Sequence, residues 1–98
     1  MQVSHRARDY RSKVAIYADI LQVIDENGGR ASPTQILTGA NLSHGRLVMH
    51  LERLVEAGLV REETDDDKRN YQMTEEGLNL LQEISKVKKF LDGFGLPL

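Results

Sequence analysis

The sequence contains no cysteine, which excludes a disulfide framework, a thiol nucleophile and a thiolate metal site, and leaves apolar packing to hold the fold. Such a composition suits a reducing cytoplasm. No stretch approaches the roughly 18 apolar residues of a membrane span, and residues 1–13 are polar and basic, without the apolar h-region of a secretory leader. Secretion and membrane insertion are therefore disfavoured. Charge of one sign is also lacking: 13 Lys and Arg face 15 Asp and Glu, for a net charge of -2. The chain is too balanced for a general polycation and too mixed for a disordered acidic tail, so any anionic partner has to be met by a local patch. There is no internal repeat, linker or low-complexity segment. With 98 residues, 40% of them hydrophobic and 29% charged, one domain is all the chain can hold.

No catalytic set can be assembled either. His5, His44 and His50 fall in different segments or on different helix faces, and no pair has the i,i+4 spacing of a helical metal site. The serines lack His and Asp partners in a recognisable order, and Asn27-Gly28-Gly29 has neither the length nor the lysine of a phosphate loop. The run Asp65-Asp66-Asp67 lacks the glycine and distal glutamate of a calcium loop. No metal, no cofactor and no enzymatic activity are expected.

What is present is a succession of helix starts and stops. Residues 1–11 carry His5, Arg6, Arg8 and Arg11 with almost no apolar periodicity, and read as a basic tail or a helical extension. From Ser12, the residues Val14, Tyr17, Ile20, Leu21 and Ile24 recur at helical spacing until Asn27-Gly28-Gly29 ends the first helix. Ser32, Pro33 and Gln35 supply a hydroxyl cap, a first-turn proline and a capping-box glutamine for a short second helix to about Thr38. After a break at residues 39–42, Ser43 caps a third helix that runs to Ala57 and is closed by Gly58. Residues 59–63 and 70–73 read as two short strands, with Thr64 to Arg69 as a polar hairpin tip. Thr74, with Glu75 and Glu76 behind it, starts a last helix that extends to Asp92.

Three helices and a hairpin in this order make a mainly α chain with a small β-hairpin, a winged helix-turn-helix over residues 12–77, to which Arg30-Ala31 has room to add a third strand. On the third helix Leu47, Val48, Leu51, Leu54 and Val55 cluster within roughly 60° of one direction, with Gly45, Arg46, Met49 and Arg53 opposite and His50 and Glu52 on the flanks. Docking the apolar arc on the first two helices turns the other arc outward. There Arg46 and Arg53 offer guanidinium forks to the major groove of double-stranded DNA, with Met49 between them. Ser43 and the free amides behind it suit a phosphate, and His44 and His50 are the histidines placed to touch DNA. Gly45 is unusual inside a helix, and either close approach to DNA or, as expected, close packing on the second helix accounts for it. Lys68 and Arg69 of the hairpin tip, with Arg6, Arg8 and Arg11 of the tail, complete the candidate DNA contacts, although Asp65 to Asp67 oppose a phosphate at the tip.

The last helix shows two stripes. Leu78 and Leu81 point to the domain's own core, whereas Leu80, Ile84, Val87 and Leu91 keep a 4-3-4 seam in line, thickened by Phe94. At about 28 Å the helix is longer than so small a domain covers, so residues 78–98 are expected to join two copies as a homodimer.

These residues carry a family likeness. The run Thr34 to Ser43, followed by Leu47, Leu51, Leu54 and Gly58-Leu59-Val60, then Tyr71 to Gly77 and Leu80-Leu81, resembles the small archaeal winged-helix family of predicted transcriptional regulators. It is similar to the branch with the ten-kilodalton archaeal chromatin DNA-binding proteins. The resemblance implies a homodimer joined by antiparallel C-terminal helices, presenting two winged domains to duplex DNA in the nucleoid. Because the last helix is shorter and the chain more acidic than in chromatin members, it implies a sequence-selective regulator, or a weakly sequence-specific chromatin-associated binder, rather than an abundant packager. The rival reading is a protein-binding winged module, and it gains if the surface around Met49 is apolar and ringed by acids.

Overall fold

The computed structural model describes residues 11–98. Its elements run α1 (Lys13–Glu26), β1 (Arg30–Ala31), α2 (Pro33–Gly39), α3 (His44–Glu56), β2 (Val60–Asp65), β3 (Lys68–Met73) and α4 (Glu75–Asp92). The winged arrangement expected from the sequence is present. The dipeptide at β1 adds the third strand of an antiparallel sheet ordered β1-β3-β2, with Arg30 opposite Gln72 and Ala31 opposite Tyr71.

Each helix begins where a side-chain oxygen takes a backbone amide that has no partner within the helix. Ser12 Oγ accepts from the Ala15 amide at 3.0 Å, Ser43 Oγ from Arg46 at 3.4 Å and Thr74 Oγ1 from Gly77 at 3.1 Å. At α2 the box is reciprocal: the Gln35 amide donates to Ser32 Oγ at 3.2 Å, and the Ser32 amide donates to Gln35 Oε1 at 2.9 Å. These local signals fix where helices start, and the core fixes how they lie. Ile16, Ile20, Leu21 and Ile24 of α1 are buried against Ile36, Leu42, Leu47, Leu54 and Val60. Each contributes about 1.5 to 3 kcal/mol on leaving water, and apolar burial of this kind stands in for the missing disulfides.

Between α2 and α3 the left-handed residue is Asn41, at φ 55°. Arg11 holds this turn. Its Nη1 donates to the Ala40 carbonyl at 2.7 Å and pairs with Asp19 Oδ2 at 2.7 Å, while Nη2 donates to the Asn41 carbonyl at 3.0 Å. The sequence suggests Arg11 as a tail residue touching DNA, but the open carbonyls at the end of α2 recruit it as a clamp inside the fold.

The hairpin is longer than its sequence suggests. Strand pairing continues from Val60 opposite Met73 out to Asp65 opposite Lys68, so the turn is only Asp66 and Asp67, at φ 50° and 63°. Two positive φ angles make the primed turn whose twist matches the strands, and aspartate tolerates that region better than most residues.

α4 crosses the start of β2 at Gly77, where a Cβ would collide with the Leu59 carbonyl oxygen and lie 2.9 Å from Met73 Cγ. The helix then packs its first half on α1. Leu81 and Ile84 are buried and Leu80 is half-buried against the core, whereas Leu78 is exposed. The seam expected to face a partner is therefore partly corrected: Ile84 is 8% exposed and belongs to the protomer's own core, and Leu78 is not in that core. Beyond Ile84 one side of the helix is open, and Val87, Phe90 and Phe94 are 49%, 68% and 67% exposed. No helix among the described residues is long and apolar enough to cross a membrane.

Candidate nucleic-acid interface

α3 buries Leu47, His50, Leu51 and Leu54. His50 is thus corrected from a flank that touches DNA to a core position, 2% exposed, its ring edge-on to Tyr17 with centroids 5.4 Å apart at 81°. Val48, expected in the apolar arc, is 42% exposed. A turn of the helix about its own axis by about 50°, less than the 100° between successive residues, accounts for both changes. Spacing alone is compatible with either residue: His50 lies three residues after Leu47 and four before Leu54, and Val48 lies three before Leu51.

The outward side of α3 carries Gly45, Val48, Met49, Glu52, Arg53 and Glu56, with Arg46 half-buried at its edge and Ser43 and His44 exposed at its start. A Cβ at Gly45 would meet nothing within 4 Å. The expected packing of Gly45 on α2 is therefore corrected: the backbone at this point is open. Arg53 is exposed, and of the two arginines it reaches out the further.

The alternation of β2 and β3 brings Glu62, Arg69 and Tyr71 to the sheet face that looks toward α3. Between this face and α3 lies an open groove of 630 Å³ whose lining includes Val48, Met49, Glu52, Glu56, Glu62 and Tyr71. Arg69 Nε lies 2.8 Å from Glu62 Oε2. On the opposite face Glu63 pairs with Arg30 at 3.2 Å and with Arg61 at 3.7 Å. Burial, and then the nearby Glu62 carboxylate, push the Tyr71 phenol above its ordinary value. The wing arginines are accordingly offset within the wing. Lys68 stands exposed at the tip beside Asp65 to Asp67. Sequence reasoning missed Glu62 and Tyr71 as a wall of this groove, although their period-two register carried the signal.

The remaining expected positions are spread through the fold. Arg6 and Arg8 lie outside the described residues. Of the expected dimer residues, Val87 and Phe94 are exposed, Leu91 and Leu80 half-buried and Ile84 buried. Among the described residues no group of three or more His, Asp or Glu side chains is placed to hold a metal ion.

The profile of winged helix-turn-helix proteins matches residues 10–92. The chain belongs to the winged helix-turn-helix family. In this winged helix-turn-helix chain, α2 and α3 form the helix-turn-helix and β2 with β3 form the wing. Its fold is similar to that of Sso10a-2, a DNA-binding protein from Sulfolobus solfataricus, at TM-score 0.72 and 25% identity, over 87% of this chain and 90% of that one. It is also similar to F93 from STIV, a winged-helix DNA-binding protein, at TM-score 0.66 and 25% identity, over 79% and 89% of the two chains. A MarR family transcriptional regulator from Silicibacter pomeroyi shares the fold at TM-score 0.69 and 23% identity, over 74% of this winged helix-turn-helix chain and 49% of the other. A search of curated proteins found none whose sequence matches.

Proposed function

We propose that the chain is a homodimeric transcription regulator that binds double-stranded DNA with sequence selectivity. The observation that carries this reading is the outer side of α3, where Gly45, Met49 and Arg53 stand clear behind a hydroxyl-capped helix start. In this reading α3 enters the major groove, Arg53 and Arg46 donate to guanine edges, and Ser43 and His44 meet a phosphate. Lys68 at the wing tip, and Arg6 and Arg8 of the tail, lie along the backbone. Sso10a-2 and F93, each described as DNA-binding, support the assignment at 25% identity.

The exposed end of α4 supplies the dimer contact, through Val87, Leu91 and Phe94 together with Phe90, which meets Phe94 edge-on at 5.3 Å. Val87, Phe90 and Phe94, left 49% to 68% exposed, need a cover, and a second copy of the same stripe gives a closed two-fold contact. The regulator works without cofactor or catalysis and resides with the nucleoid. Fluorescence anisotropy with duplexes selected from a random pool, combined with light scattering, tests the reading: a dimer that prefers the selected duplex is expected.

A second reading has its own observation. Val48 and Met49 form an apolar surface bordered by Glu52, Glu56 and Glu62, which suits a basic protein partner better than a phosphate backbone. If the chain ignores duplex DNA, that surface becomes the functional one.

A further inference from the structure

The face of α3 farthest from the core is an unusual one to offer a polyanion. Opposite the buried Leu47, Leu51 and Leu54 stand Gly45, Met49, Glu52 and Glu56, with Arg53 to one side. Glu52 and Glu56, four residues apart, are a like-charge pair that weakens a helix. Neither is in an ion pair among the described residues, whereas Glu62 and Glu63 of the neighbouring strand both are. Glu52 therefore keeps its acceptor capacity, exposed at the rim of the groove it shares with Glu62 and Tyr71. Val48 and Met49, four and three residues before it, put exposed apolar surface beside that carboxylate.

A carboxylate in the major groove has a narrow choice. Guanine O6 and N7, adenine N7 and thymine O4 are all acceptors and repel it, so only an exocyclic amino group can satisfy it, and the 4-amino group of cytosine is the one glutamate is suited to accept from. Apolar side chains find their match in the methyl group of thymine. We propose that Glu52 is a base-reading residue that accepts a hydrogen bond from the 4-amino group of a cytosine, with Val48 and Met49 against a neighbouring thymine methyl. The proposal rests on the DNA-binding reading above and adds how the sequence is read. It also gives the acidic pole of α3 a purpose: Glu52 repels phosphates at random sites and is compensated only where a cytosine amino group stands opposite. Selectivity then comes from excluding wrong sequences as much as from attracting the right one.

The test is selection of bound duplexes from a random pool with the parent, Glu52→Gln and Glu52→Ala, each checked for folding by circular dichroism. The parent is expected to require a C:G pair at one position of each half-site, by about five- to hundredfold over other pairs. Glu52→Ala flattens that position alone and tightens binding to random duplex. Glu52→Gln, which is isosteric and donates as well as accepts, moves the preference there toward adenine. If all three proteins select the same sequence, with affinity raised uniformly in the variants, Glu52 is merely a repulsive surface charge and the proposal falls while the DNA-binding reading stands. If the parent selects no duplex, both fall. If Glu52→Gln instead abolishes binding to a basic helical peptide used as a probe, the acceptor serves a protein partner.

Discussion

Arg69 Nε sits 2.8 Å from Glu62 Oε2 on the wing face turned toward α3, with both side chains substantially exposed. Such a pair adds about 0 to 1 kcal/mol to stability. Its larger consequence is to cancel the field of that arginine. Glu62→Gln is expected to leave the melting temperature nearly unchanged and to steepen the dependence of random-duplex affinity on salt by about one unit in log-log slope. Anisotropy at two salt concentrations measures this, and an unaltered slope would put the wing away from the duplex.

Gly45 is open to solvent, so Gly45→Ala meets no steric obstacle in the free protein. Alanine at this first-turn position should stabilise the fold by up to about 0.5 kcal/mol through a stiffer unfolded chain. If the backbone here approaches DNA, the same methyl group weakens binding. The expected result is a higher melting temperature together with a lower duplex affinity. A variant that gains stability and binds as the parent does would show that Gly45 faces water in the complex.

Val87→Lys with Phe90→Lys places charges on the exposed side of the second half of α4. Light scattering should report monomers that keep the parent's circular dichroism spectrum. Ile84→Lys behaves differently, because a lysine replaces a side chain buried in the protomer, and a loss of about 3 kcal/mol or more is expected from burying an uncompensated charge. Dimers that persist in the double variant would place the contact elsewhere.

The Tyr71 phenol is raised above its ordinary value by burial and by Glu62. Folding therefore favours the protonated form. Stability is intact below the unfolded value of about 10 and falls as pH rises through the higher folded value. Urea unfolding followed from pH 8 upward should show the parent losing stability faster in the alkaline range than Tyr71→Phe. Parallel curves would mean that the phenol is solvated.

Local chemistry was readable in the sequence, and helix rotation was not. Ser12, Ser32 with Gln35, Ser43 and Thr74 each announce a helix because capping involves neighbours in the chain, and the order of elements follows. The face each helix buries is set by distant partners. His50 exchanged places with Val48 because Tyr17 offers its ring a contact. Ile84 exchanged places with Leu78 because Gly77 lets α4 settle on the Leu59 carbonyl and fixes its rotation there. Asp66 and Asp67 carry no glycine to announce a two-residue turn. For the candidate site, the outward placing of Met49 and Arg53 was legible from period alone. The clamp role of Arg11 and the groove wall at Glu62 and Tyr71 depend on pairings across the fold that the sequence does not display.

Whether the outer side of α3 reads duplex DNA is decided by Arg53→Ala, measured by anisotropy on a duplex selected by the parent at fixed salt. A loss of about five- to hundredfold in affinity for that duplex is expected, with the fold and the oligomeric state unchanged. A variant that binds the selected duplex as tightly as the parent would contradict it.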